Sequence, residues 1–427
     1  MTLCLERIAR GHPDALAGLD GALRQALQRD GRALLEGVVN TAAAAAAAAT
    51  PPGHKRHAGR ARTIETLLGA VTYRRDYVYD PATHTGQCPF DRQLGLVGSY
   101  TAPLAKLLTR AAAQTGYATA SADMRAYADL TIDARQIHRL VQSLGPRAAA
   151  WLQRNTDRAA PPVPCPVMYV EADGTGVPMR PADLAGRTGR QPDGTAKTRE
   201  VKVGAVFTQQ DWDKDTGLPW RDLDSTSYVA SLEPVDTFGP RLGQEARRRG
   251  IGQADRQVFI SDGAAWAAGL ARTQFPQALH IVDYYHACEH AHALAKGLDP
   301  ATAADCAARW RTLLLEADDG VAQLLAQAKA QLPDAPDRLK DAKQELGYFE
   351  NNGAHMRYAS YRREHLFIGS GVIEAACKTV IGQRFKHSGM FWSEPGAAHV
   401  LAFRCALASD RFDALWHGLA QALPAAA

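Results

Sequence analysis

Four short runs rich in β-branched and apolar residues constrain the fold of this chain more than any other feature. They lie at residues 167–172, 200–208, 257–261 and 278–282. Helices are predicted between the later runs, at 238–249 and 264–271. This β-β-(β)-α-β-α-β order is typical of a mixed sheet with flanking helices. We therefore predict an α/β core whose first part covers residues 161–284.

The segment that follows this core is Ala- and Leu-rich. Residues 285–350 are predicted to be almost purely helical, and this stretch is far longer than a connection requires. We interpret residues 285–365 as a helical insertion. Residues 366–427 then return to the core with short helices.

The front of the chain has a different pattern. Residues 1–52 predict one or two amphipathic helices followed by an Ala/Pro linker, and residues 53–160 predict a largely helical region with a β-hairpin turning at Gly69. Within it, two helical segments over 118–143 are separated by a short break, which resembles a helix-turn-helix. An ordinary helical pair has the same pattern, so both interpretations stay open.

Composition limits the class of protein. The chain has 427 residues, of which 46% are apolar, and this length predicts two or three domains. No apolar run reaches the roughly 20 residues that span a bilayer, and the start lacks the apolar stretch of a signal peptide. Seven cysteines occur without a CxxC pair, so neither a disulfide framework nor a four-cysteine zinc site is predicted. We expect a cytoplasmic location, without a membrane partner.

Charge is unevenly distributed along the chain. Residues 1–160 contain 20 Lys and Arg against 13 Asp and Glu, whereas the remainder contains 29 against 32. A basic front half and a slightly acidic back half suit a phosphate-binding module joined to a metal-binding one. Arginines that merely solvate helices would give the same balance.

Three acidic residues stand where such a sheet would bring them together. Asp173 and Asp262 each follow a β-branched run and precede a glycine, and Glu374 opens a predicted helix after 369–371. Converging carboxylates hold hard divalent cations such as Mg²⁺, the arrangement used for in-line displacement at phosphorus. Asp-Gly alone is also a common turn signal. We predict that the three acids are catalytic and bind metal.

Basic residues suggest where DNA would bind. Lys378, Arg384 and Lys386 follow Glu374 within three helical turns, where they could contact a phosphate backbone. Nearby Trp392 is expected in the core. In the front half, DNA contacts are predicted for Lys55 and Arg56 in the basic patch and for Arg135 and Arg139 on the second helix of the helix-turn-helix-like pair.

A third cluster lies around Asp283 and His286. His286 and His290 share a helical face, as zinc ligands would, but no HExxH motif or second ligand pair is present. We predict instead that Asp283 and His286 support the active site by orienting a strand-to-helix turn, and we predict no zinc.

Taken in order, five motifs resemble those of Kra-type bacterial insertion-sequence transposases, relatives of the Lre-type and Mutator-like elements. They are Asp-Gly-Thr-Gly-Val-Pro at 173–178, Glu-Val-Lys-Val-Gly at 200–204, Ser-Asp-Gly-Ala-Ala-Trp at 261–266, Asp-Tyr-Tyr-His at 283–286 and Gly-Ser-Gly-Val-Ile-Glu at 369–374. The resemblance runs from about residue 60 to 415. Similar proteins often carry cysteine pairs on the hairpin that follows the N-terminal helices, whereas this chain offers only Cys88 there.

The resemblance implies an RNase H-like core with an Asp-Asp-Glu triad at Asp173, Asp262 and Glu374. It also implies two Mg²⁺ or Mn²⁺ ions and double-stranded DNA partners, namely the inverted repeats of the element and a target. Asp283 and His286 match the Asp/Cys-x-x-His signature of such enzymes. Joining two element ends suggests a homo-oligomer, at least a dimer, near the bacterial nucleoid.

Two other classes remain as alternatives. A non-catalytic DNA-binding regulator derived from a transposase would bind DNA without cutting it, although the intact acids argue against it. A carbohydrate hydrolase could also use paired carboxylates, but it would require an aromatic-lined cleft. We predict a DNA transposase that cleaves strands at insertion-sequence ends and transfers the 3′-hydroxyl into target DNA.

Overall fold

The computed structural model describes residues 2–12, 15–46, 50–154, 164–189, 191 and 194–421. They form two compact units, one of Met1–Arg147 with Asp413–Ala427 and one of Ala148–Phe412. No helix in these described ranges is both long and apolar enough to cross a membrane.

The first unit contains a small antiparallel sheet and helices. In chain order its elements are α1 (Thr2–Ala9), α2 (Ala15–Ala45), β1 (Lys55–Thr66), β2 (Gly69–Asp80), β3 (Thr85–Gln87), α3 (Pro89–Gln93), α4 (Ala102–Gln114), α5 (Tyr117–Ala128) and α6 (Ala134–Arg154), the last of which continues into the second unit. The predicted hairpin is confirmed, but the tight turn is at Leu67 and Leu68, and Gly69 begins the second strand. Lys55 and Arg56 lie on β1, because β2 pairs with this strand as far as Lys55.

Helix α2 confirms the predicted N-terminal helix. Its leucines, however, do not pack as expected for an amphipathic helix. Leu16, Leu23, Leu27 and Leu34 are exposed, so these four leucines do not pack into a core in the described part of the chain. The core of this region instead joins the end of the helix to the hairpin, through Ala43 and residues of β1, β2 and α3.

The helical pair predicted over 118–143 is confirmed as α5 and α6. Asp133 begins the second helix by accepting the Arg135 N–H at 2.8 Å, while the Gln136 side chain accepts the Asp133 N–H at 3.0 Å. This reciprocal capping stabilises a helix start. Arg135 and Arg139 are both exposed on α6.

The second unit contains the predicted mixed sheet. Its strands are β4 (Val167–Pro178), β5 (Thr198–Gln209), β6 (Ser227–Ser231), β7 (Arg256–Ser261) and β8 (Leu279–Val282), in the spatial order β6-β5-β4-β7-β8. Strands β4, β7 and β8 are parallel, and β5 and β6 are antiparallel to their neighbours. This mixed α/β arrangement is compatible with an RNase H-like core.

Helices cover both faces of this sheet. The helices of this unit are α7 (Val235–Arg248), α8 (Ala265–Gln274), α9 (Tyr284–Leu298), α10 (Ala303–Glu316), α11 (Gly320–Lys329), α12 (Pro336–Asn352), α13 (Tyr358–Arg363), α14 (Gly371–Ala376), α15 (Gln383–Phe385) and α16 (Glu394–Ala408), with a π-helical segment at Cys377–Gly382. Helix α17 (Phe412–Gln421) begins at the last residue of this unit and otherwise belongs to the first unit. Met168 and Val170 face a core with α7 and α8, whereas Val167 and Tyr169 face a core with α9 to α13. This division follows from the alternation of side chains along a strand.

One difference from prediction concerns β4. Asp173 does not end this strand, because pairing with β5 continues to Pro178 although pairing with β7 stops at Glu171. Residues 173–178 and their β5 partners therefore form a two-stranded ribbon beyond the edge of the parallel strands. Its far end is attached to the segment after Glu374, since Trp392 N–H donates to Pro178 O at 3.1 Å and Arg180 N–H to Trp392 O at 2.8 Å.

Candidate active site

The register of the parallel strands aligns three aspartates at one edge of the sheet. Glu171 is paired with Ile260, and Ile260 with Ile281. Two residues further along each strand direction are Asp173, Asp262 and Asp283. Asp173 shares the face of Glu171, because residues two apart share a face of a strand. Asp262 and Asp283 come directly after the last residues of β7 and β8, at the same edge of the sheet.

Asp173 lies half-buried among like charges. Its Oδ1 accepts the N–H of Gly174 at 2.6 Å, and its Oδ2 accepts a hydrogen bond from the Cys377 thiol at 3.5 Å. Burial and the nearby Asp262 carboxylate raise the pKa of Asp173. The same burial, with Asp173 beside it, raises the pKa of the Cys377 thiol to about 12. This site therefore carries negative charge that its protein surroundings do not fully neutralise.

Asp262 occupies the turn between β7 and α8. Its Oδ1 accepts the N–H of Ala264 at 2.9 Å, and its carbonyl oxygen accepts the Tyr348 hydroxyl at 3.1 Å. Gly263 has φ of +90°, and a Cβ there would stand 3.1 Å from the Tyr348 ring. The glycine predicted as a turn signal is thus required by the backbone and by the packing of α12.

Asp283 is fully buried and holds two segments together. Its Oδ1 caps α9 by accepting the N–H groups of Tyr285 at 2.5 Å and His286 at 3.0 Å, and its Oδ2 accepts both the N–H and the hydroxyl of Ser370. Burial alone would raise its pKa, but the hydrogen bonds from His286 and Ser370 hold the pKa of Asp283 below its ordinary value. It is therefore an ionised anchor between α9 and the loop before α14.

Glu374 lies on α14, and the buried carboxyl group of Glu171 helps to position this helix. Glu171 is fully buried, and its Oε2 accepts the N–H of Ile373 at 2.7 Å. Burial raises the pKa of Glu171 to about 8. Sequence reasoning missed this residue, although the alternating acids at 171 and 173 indicated that both would face the same side of β4.

Among the described residues, one group of acidic and histidine side chains converges closely enough to hold a metal ion. The ligand atoms of Asp283, His286 and Glu374 lie within 4.8 Å of one another. The structure therefore brings Glu374 together with the two predicted support residues, and Asp173 and Asp262 are not part of that group.

The histidine in this group carries a positive charge at neutral pH. His286 Nδ1 is 3.7 Å from Asp283 Oδ1, and this carboxylate raises the pKa of His286 to about 9 despite burial. Asp262 acts in the same direction. The imidazolium thus supplies positive charge between the acids, and a cation bound at this nitrogen would have to replace its proton.

The three basic residues predicted after Glu374 occupy different environments. Lys378 and Lys386 are exposed; Lys378 Nζ is 3.9 Å from Glu374, and Lys386 Nζ donates to Thr175 Oγ1 at 2.6 Å. The prediction that Arg384 contacts DNA is wrong. This residue is fully buried, with its guanidinium 4.9 Å from the centre of the Trp392 ring. Without exposed surface it cannot contact a DNA backbone in this conformation.

In the first unit, the four predicted DNA-binding residues lie on two elements. Lys55 and Arg56 are exposed on β1, where Arg56 pairs with Asp76 at 2.5 Å. Arg135 and Arg139 lie on one side of α6, four residues apart. Each pair therefore offers positive charge at a surface.

Comparison with known proteins gives a limited result. No protein-family model matches this chain, and no curated protein matches it. Among solved structures, the chain is weakly similar to a Drosophila P element transposase strand transfer complex, at 8% sequence identity and a TM-score of 0.25, with 74% of this chain and 80% of that one covered.

Proposed function

We propose that this chain is a DNA transposase that uses an RNase H-like core to cleave DNA strands at the ends of an insertion sequence and to join the 3′-hydroxyl to target DNA. The observation that carries the proposal is that Asp173 and Asp262 each lie two residues beyond Glu171 and Ile260, which pair on adjacent parallel strands. Glu374 supplies the third carboxylate from the helix that Glu171 and Ser370 attach to the same part of the sheet.

The residues present suit divalent cations. Asp173, Asp262 and Glu374 offer the carboxylate oxygens that Mg²⁺ and Mn²⁺ prefer. Burial, with the nearby Asp262 carboxylate, raises the pKa of Asp173, and a bound cation would favour its ionised form. We assign the metal-holding role to these three, with Asp283 and His286 adjoining them. Two bound cations would increase the nucleophilicity of the attacking oxygen and stabilise the leaving one.

The protein's own residues would orient the acidic side chains and bind the DNA phosphates. Asp283 fixes the start of α9, and Glu171 fixes the start of α14, so the acids project from anchored backbone. His286 places positive charge beside the acids, where it can attract the scissile phosphate. Lys378 and Lys386 extend the basic surface and would neutralise the flanking phosphates.

We assign binding of the element ends to the first unit. Lys55 and Arg56 on β1, and Arg135 and Arg139 on α6, provide the positive charge that a phosphate backbone requires. The capped helix α6 follows α5 as a recognition helix follows the first helix of a helix-turn-helix. The active form would be a homo-oligomer, at least a dimer, because two ends must be joined in one complex.

The test uses purified protein and DNA that flanks its own coding region. Asp173→Asn, Asp262→Asn and Glu374→Gln should abolish Mg²⁺-dependent strand cleavage, while binding of the same DNA survives. An Asp262→Asn protein that cut at the wild-type rate would show the triad assignment to be wrong. Wild-type protein that binds these ends but leaves them uncut with Mg²⁺ or Mn²⁺ would point to a DNA-binding regulator instead.

A further inference from the structure

A cavity of about 760 Å³ opens directly beside the acidic site. It shares its wall with the site, because Tyr285 lies two residues after Asp283, and Gly369 and Gly371 flank the Ser370 that donates a hydrogen bond to Asp283. Its volume lies in the range of sites for small molecules and cofactors, roughly 300–1,000 Å³. A ligand of nucleotide size could therefore enter it while attached to a strand at the acids.

An exposed tyrosine stands at this cavity. Tyr285 is 61% exposed, although its backbone is held by the buried Asp283, which accepts its N–H. Its ring lies against Gly369, where a Cβ would come within 2.7 Å of it. The ring is thus supported on one side and accessible on the other. Aromatic rings presented in this way stack on nucleobases with little sequence preference.

The opposite wall is preformed. Leu218 and Pro219 belong to a loop fixed by His365, whose Nδ1 lies 2.9 Å from Gly217 O and whose ring stacks on Trp212 at 4.4 Å. Gln209 anchors His365 in turn, by donating to its carbonyl oxygen at 2.9 Å. The apolar faces of Phe367 and Ile368 complete the interior. A ligand would not have to order this loop on binding.

Charge identifies the class of ligand. Two exposed arginines, Arg362 and Arg363, line the cavity, against one acidic residue, Glu316. Arg363 also forms an exposed ion pair with Asp318 at 2.6 Å, which a phosphate could replace at little cost. An aromatic, apolar interior with a cationic rim matches a base joined to its phosphates.

We propose that this cavity binds one unstacked nucleotide of the DNA strand next to the reacting phosphate, with Tyr285 stacking on the base and Arg362 and Arg363 holding the backbone. The inference rests on the proposed function, since it takes the acids to act on DNA. Moving a base out of the stack costs free energy that stacking on Tyr285 would offset.

The experiment measures binding separately from cleavage. A fluorescent poly-dT strand is titrated with full-length protein in EDTA, and the same strand with an abasic site is titrated for comparison. Tyr285→Ala should weaken binding of the intact strand by roughly 5- to 100-fold, whereas Tyr285→Phe should bind it like the wild type. Arg362→Ala and Arg363→Ala should weaken binding of intact and abasic strands alike. Leu223→Ala, at a residue that is 88% exposed and lies outside the cavity lining, is the matched control.

A second readout separates this inference from the proposed function. If wild-type protein cleaves its element ends with Mg²⁺ but Tyr285→Ala binds and cleaves normally, the nucleotide site is wrong and the transposase proposal stands. If the wild type binds the strand in a Tyr285-dependent way but never cleaves, the catalytic proposal fails. Cavity variants that change self-association and leave strand binding intact would overturn the nucleotide assignment in favour of a second copy of the chain.

Discussion

The buried carboxylate of Glu171 and the backbone of Ile373 are joined by a hydrogen bond of 2.7 Å, although 202 residues separate them along the chain. It connects a central strand of the sheet to the first turn of the helix that carries Glu374. The position of Glu374 therefore depends on a residue that would not itself contact DNA.

Replacing Glu171 tests this connection. Glu171→Gln retains an oxygen acceptor for Ile373 N–H and is expected to fold with nearly unchanged stability. Glu171→Ala leaves that N–H unpaired and opens a cavity, so the free energy of unfolding should fall by roughly 2–4 kcal/mol. Urea denaturation measures both variants. Equal stability of Ala and Gln proteins would show that the hydrogen bond does not anchor the helix.

Gly263 gives a second prediction about the site. Gly263→Ala forces a side chain into positive φ and into contact with Tyr348, so we expect a loss of roughly 1–3 kcal/mol of stability and a displaced Asp262. Gly347→Ala is the matched control, because it lies in helix α12 with open space around its Cβ position and should stabilise by about 0.5–1 kcal/mol. Thermal unfolding distinguishes the two. A neutral Gly263→Ala would mean that the turn relaxes freely.

His280 predicts a dependence of stability on pH. It is buried, its Nε2 lies 3.0 Å from the Ser261 hydroxyl, and its ring lies 4.3 Å from that of His355. Burial, together with His355 and Arg272, lowers the pKa of His280 from 6.5 to about 4. A lowered pKa favours the neutral folded form, so stability is complete above about pH 6.5 and is lost as the pH falls towards 4.

The measurement is urea unfolding at a series of pH values. His280→Gln should reduce the acid-induced loss in the free energy of unfolding by up to roughly 3 kcal/mol. A variant that loses stability with acid as steeply as the wild type would contradict the assignment to His280.

Lys386 and Arg384 are close in sequence but should behave differently. Lys386→Ala should weaken binding to all DNA sequences and reduce the slope of log affinity against log salt by about 1. Arg384→Ala should leave that slope unchanged and instead lower stability by roughly 2–4 kcal/mol, because a buried guanidinium that packs on Trp392 is lost. Lys329→Ala, in a surface ion pair with Glu350, serves as control. If Arg384→Ala changed the slope of log affinity against log salt, Arg384 would be a DNA contact after all.

Much of this architecture could be predicted from local pattern. β-Branched runs predicted four of the five strands of the mixed sheet but not β6, and Ala- and Leu-rich periodicity predicted the helices that follow β8. The capped start of α6 depends on Asp133 and Gln136, which are close in sequence, so local pattern can indicate such a start. The placement of Asp173 and Asp262 at one edge of the mixed sheet was also expected, because each follows a β-branched run.

Features set by distant partners could not be predicted in this way. The continuation of β4 past Asp173 depends on pairing with β5, and the burial of Arg384 depends on packing against Trp392. The anchoring role of Glu171 required knowing that α14 packs on β4. Local propensity carries no information about such partners.

The ribbon formed by residues 173–178 has a mechanical consequence. It is tied to the chain after Glu374 at two levels, through Lys386 on Thr175 and through the backbone of Trp392 on Pro178. A load applied to the ribbon tip would therefore be shared by the strand that carries Asp173 and by the segment that carries Glu374. The strand that carries Asp173 and the segment that carries Glu374 would then move together. The distance between these two carboxylates would therefore stay the same under load.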